Sequence, residues 1–74
     1  MKGGEIMLDK NTSLVWEYLK NHFANSNKSV YLPDIMPIGL PVEDIIKSLD
    51  ILEDNGYINI NHKYPSKPIE SINI

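Results

Sequence analysis

Residues 40–58, read as LPVEDIIKSLDILEDNGYI, constrain the fold more than any other part of the chain. Ile45, Leu49 and Leu52 recur at the spacing of one helical face, which predicts an amphipathic helix from about 42 to 55. Gly56 stands where a helix end favours a left-handed residue. Tyr57, just beyond it, can fold back on Leu52 to close a Schellman-type cap. Residues 57–61 then alternate apolar and polar, as a half-buried strand does.

The remaining elements are read in relation to that helix. Asp9, Asn11, Thr12 and Ser13 offer N-cap oxygens for a first helix reaching about Asn25. Its expected core stripe is Leu14, Val15, Tyr18, Leu19 and Phe23, with Glu17 and Lys20 facing outward and Trp16 beside the stripe. Residues 25–28 form a polar turn, and residues 30–32 read as a short strand. Pro33 can occupy a first helical turn and Pro37 discourages continuation, so residues 34–36 predict one helical turn. Residues 38–41 make the tight connection to the long helix. Residues 62–68 form a loop holding Pro65 and Pro68, and residues 69–74 alternate again, giving a hairpin with residues 57–61. We therefore expect an N-terminal leader over 1–8 and a single α+β domain over 9–74, its hairpin at about 57–74.

With 74 residues the chain is one domain near the lower size limit for an unaided core. Its 42% hydrophobic and 23% charged content fits a globular protein, and the absence of cysteine excludes disulfides and thiolate metal sites. That cysteine usage suits a cytoplasmic protein. No apolar stretch reaches the roughly 20 residues of a membrane span, and no signal-peptide core is visible. His22 and His62 are far apart and fit no zinc spacing; His22, beside the first helix's stripe, reads as a boundary residue. No nucleophile motif or Gly-rich phosphate loop is present, so neither an enzyme nor a cofactor is expected.

The order of elements, together with Gly39-Leu40 and the run Leu52-Glu53-Asp54-Asn55-Gly56-Tyr57-Ile58, resembles the winged helix-turn-helix superfamily. Within it the pattern is similar to the MarR- and ArsR-type bacterial regulators. The resemblance covers residues 13–74 and implies three helices with a small antiparallel sheet and wing. It implies a transcriptional regulator that binds duplex DNA, the 42–55 helix entering the major groove and the 61–68 wing meeting neighbouring phosphates. The extra dimerisation helices of MarR proteins are absent, so a ligand-sensing role is not implied.

Carried onto this chain, the DNA-facing residues are Lys47 and Ser48 on the long helix, His62, Lys63, Tyr64 and Lys67 on the wing, and Lys28 after the first helix. Among these Lys47 is the natural phosphate or guanine partner of the helix. The wing gathers positive and aromatic character that could meet phosphates and sugars, although the same residues suit an ordinary solvated hairpin tip. The charge of the long helix opposes this role. Lys47 stands alone against Glu43, Asp44, Asp50, Glu53 and Asp54, a local charge of about -4. Glu43 and Asp44 also have a plain structural use at the positive end of the helix dipole. Ile46 is expected to complete the core stripe.

Two other readings follow from that acidity. One is a protein-interaction module whose Glu43, Asp44, Asp50 and Glu53 face a basic partner, with Trp16 an interface anchor or, more simply, core. The other is a DNA mimic that occupies a nucleic-acid site on a target. A homodimer is expected through Trp16, Met7, Leu8 and residues 72–74. The feature that separates DNA binding from protein binding is whether Lys20, Lys28, Lys63 and Lys67 converge beside the long helix or scatter.

Overall fold

The computed structural model describes residues 8–73, and its framework is two helical stripes pressed together. Helix α1, Lys10–Asn25, buries Thr12, Val15 and Leu19. Helix α3, Val42–Asp54, buries Ile45, Ser48 and Leu52. Both triplets follow the i, i+3, i+7 spacing of a single helical face, and α1 against α3 is the most extensive contact between elements. Leu14, expected in the core, is 42% exposed. It lies about 100° around the helix from Val15, on the side away from Thr12 and Leu19.

Helix α2, Leu32–Ile35, runs into a 3₁₀ turn over Met36–Ile38. The expected strand at 30–32 shrinks to one residue: Val30 exchanges two backbone hydrogen bonds with Ile69, at 2.9 and 2.8 Å. The chain leaves the sheet there because Asp34 captures the Tyr31 N–H at 2.9 Å, which makes Tyr31 the helix cap, and because Pro33 has no N–H for a ladder. Ile35 reaches the core from this short helix. Gly39 ends the 3₁₀ turn at φ 92°, a left-handed conformation that an L side chain would strain.

The end of α3 forms as expected. Gly56 adopts φ 78°, its N–H donates to the Glu53 carbonyl at 3.0 Å, and the Tyr57 N–H donates to the Leu52 carbonyl at 2.8 Å. These are the two bonds of a Schellman motif. Strand β1, Ile58–Ile60, follows at once and pairs antiparallel with β2, Ile69–Ile72. Ile58 pairs with Ile72, Asn59 with Ser71 and Ile60 with Ile69, so Glu70 is the additional residue of a bulge on β2. Asn73 ties the sheet back to the corner, its N–H donating to Tyr57 and its amide to Gly56, both at 2.8 Å.

The core takes a residue from each α-helix and both strands: Val15, Leu19, Val30, Ile35, Ile45, Leu52, Ile58 and Ile69. Leu8, the last residue of the expected leader, packs against it. Residues 1–7, including Met7, and Ile74 lie outside the described residues. The chain is an α+β fold of three helices and a two-stranded antiparallel sheet, consistent with a winged helix-turn-helix. Among the described residues no helix is long and apolar enough to cross a membrane.

Candidate interaction surface

The outer face of α3 and the hairpin loop stand side by side, joined by one polar link. His62 Nε2 donates to Glu53 Oε2 at 2.5 Å, which fixes the start of the loop against the last turn of α3. The Asn61 N–H donates to the Pro68 carbonyl at 2.9 Å and closes the loop at its base. At its tip the Lys67 N–H donates to the Tyr64 carbonyl at 2.9 Å, and Lys67 itself sits at φ 46°. That left-handed conformation costs a non-glycine residue about 1–2 kcal/mol. Lys63, Tyr64 and Lys67 are all exposed.

Between loop and helix runs a groove of about 280 Å³. Its apolar lining comes from Leu32, Ile46, Leu49, Ile60, Pro65 and Ile69, and Asp50, His62, Ser66 and Lys67 supply its polar groups. Ile46 was expected in the core and is instead 47% exposed, because α3 turns Ile45, Ser48 and Leu52 toward α1. Val42 and Ile51 are exposed on the same helix. The surface of α3 is thus apolar and acidic together, with Glu43, Asp50 and Asp54 exposed beside those side chains.

Ser48 cannot meet DNA. It is buried at 2% exposure, accepts from the Thr12 hydroxyl at 3.4 Å and donates to the Asp44 carbonyl at 2.8 Å. Its place in a stripe with Ile45 and Leu52 was the signal that could have found this. Asp44 is half-buried, accepting from the Asn11 amide at 3.3 Å, and Glu53 is engaged by His62. Of the four acids expected at an interface, Glu43 and Asp50 are the exposed ones. Trp16 is half-buried on the core, its ring 5.0 Å from that of Tyr57.

Lys63 and Lys67 share the hairpin loop, and Lys47 and Lys20 do not join them. Lys67 lines the α3–hairpin groove, whereas Lys47 lies in a second depression with Asp9, Asp44 and Asp50. Lys20 lines a third depression, between α1 and β2. It is paired with Glu17 at 2.7 Å, and its ammonium lies 5.6 Å from the centre of the Trp16 ring. Lys28 is exposed on the loop after α1, where its carbonyl accepts from His22 Nε2 at 2.8 Å. Each of the three depressions holds at least one carboxylate beside its lysine.

Asp9 caps α1, its side chain accepting from the Thr12 N–H. The Thr12 N–H, at 2.7 Å, is the main cause that holds its carboxyl below the usual aspartate value. The Lys47 charge contributes least. The folded state therefore favours the carboxylate, a stabilisation complete above the unfolded value near 3.8 and lost as pH falls through the lower folded value. Thermal unfolding should show wild type more stable than Asp9→Asn above about pH 5, the margin closing on acidification below about pH 4. A margin independent of pH would remove the charge from the cap.

Among the described residues no group of three His, Asp or Glu side chains is placed to hold a metal ion. Comparison of the chain with family models, with curated proteins and with solved structures returned no match.

Proposed function

We propose that this chain is a non-catalytic winged-helix module that binds a protein through the outer face of α3. The observation that carries the reading is the composition of that face: Val42, Ile46 and Ile51 exposed among Glu43, Asp50 and Asp54, with Lys47 the one cation. Duplex DNA is bound largely by cations that displace counterions from phosphates. A helix with five acids and one lysine would instead repel the phosphates it had to approach. Exposed apolar side chains flanking charged ones are a composition that protein interfaces use. A partner that offers a cation to Asp50 would complement this face.

DNA binding by the wing is the second reading, favoured by the exposure of Lys63, Tyr64 and Lys67 in a loop that holds no acid between 61 and 68. Titration of a fluorescent AT-rich duplex between about 50 and 200 mM salt separates the two. The protein-docking reading expects no binding at low salt. It further expects a photo-crosslinker at Ile46 to capture a protein whose purified complex is weakened about tenfold by Asp50→Lys. Micromolar duplex affinity that falls steeply with salt and disappears in Lys63→Glu/Lys67→Glu would overturn it.

A further inference from the structure

The α3–hairpin groove has an arrangement that matches itself. Its floor is apolar, with Ile46 and Leu49 from α3 facing Ile60 and Pro65 from the hairpin. Asp50 stands on the helix side and Lys67 on the loop side, and both are exposed. Rotate such a surface by a half-turn onto a copy of itself and each acid meets the other copy's base. Isologous contacts of two-fold dimers have this property, in which residue i meets j and j meets i. We infer that this groove is the seat of a second copy of the chain, packed face to face with Ile46 central and two Asp50–Lys67 pairs at the rim.

This rests on the reading of α3 as a protein-docking face and names its partner. Three features support that occupant over an unrelated one. The groove carries both charges, so a purely basic partner would satisfy Asp50 and repel Lys67. Among the described residues Lys67 has no ion pair within the chain, so its exposed charge is open to a carboxylate of another molecule. Trp16, the anchor of the expected alternative dimer surface, already packs on Tyr57 and lies under Lys20.

The test is sedimentation velocity of the full chain from about 5 to 500 µM, where mass action makes a dimer visible. Wild type is expected to dimerise. Asp50→Lys and Lys67→Asp should each weaken the dimer about tenfold, because each replaces two attractions with two repulsions. Both sites are exposed, and aspartate tolerates the left-handed position 67, so circular dichroism should show both variants folded. The double variant Asp50→Lys/Lys67→Asp should recover wild-type association, and the two single variants mixed should form a heterodimer. A chain monomeric throughout, or a dimer indifferent to either reversal, overturns the inference. So does a double variant that fails to recover. A monomeric chain would leave α3 free to dock on a different protein, whereas salt-sensitive duplex binding is the result that removes the docking reading itself.

Discussion

Alanine at position 52 is expected to remove much of the chain's stability, about 2–5 kcal/mol. Leu52 is fully buried in the cluster with Val15, Leu19 and Ile58, and its carbonyl also accepts the bond that closes the α3 cap. Truncation would leave a cavity where α3 turns into β1, a place the short connection cannot easily collapse. A domain of this size holds only about 4–11 kcal/mol in total. Urea unfolding should therefore show a much lower midpoint with little change in slope. Leu14→Ala provides the contrast, since Leu14 is exposed on α1 and should shift stability by less than about 0.5 kcal/mol. Equal losses at the two leucines would mean the core is misplaced.

Leucine at position 48 is expected to cost about 2–4 kcal/mol. Ser48 is wedged between α1 and α3, and its hydroxyl joins Thr12 to the Asp44 carbonyl. A larger side chain must push the helices apart, and it strips the buried Thr12 hydroxyl of its partner. Removing both hydroxyls together, in Thr12→Val/Ser48→Ala, should come close to neutral because nothing polar is then left unpaired. A double-mutant cycle in chemical denaturation reads this directly: the pair should lose less than the sum of its singles. Additive losses would show that the two hydroxyls act separately. If position 48 were a nucleic-acid contact, the substitutions would change binding and leave unfolding untouched.

Much of the architecture was legible in local chemistry. The Gly56 corner, the N-cap choice around Asp9, the proline-flanked turn and the alternating strands each depend on a few neighbouring residues. The errors occurred where packing decides. Hydrophobicity put Leu14 and Ile46 inside and Ser48 outside, but helix rotation is set by the facing helix, and α1 offers Thr12, Val15 and Leu19. Matching the two i, i+3, i+7 triplets would have recovered Ser48 as the small polar partner of Thr12. Nothing in the linear sequence brings Leu32 and Ile60 to one groove with Ile46. That groove depends on where the loop closes, and so on the His62–Glu53 bond and the bulge in β2. The acidity of α3 was plain from the start; what the fold adds is the separation of Lys47 and Lys20 from the loop lysines.

Gly39 and Gly56 stand just outside the two ends of α3, and both take left-handed conformations. Between them, Ile45, Ser48 and Leu52 hold the helix in place. Glu43, Ile46, Lys47, Asp50, Ile51 and Asp54 have no part in that hold: all are exposed, and among the described residues none of their side chains makes a hydrogen bond within the chain. The backbone start and stop of the helix are thus written in different residues from its outward message. A library varied at these six positions should therefore yield folded proteins, and on the protein-docking reading it should change what they bind.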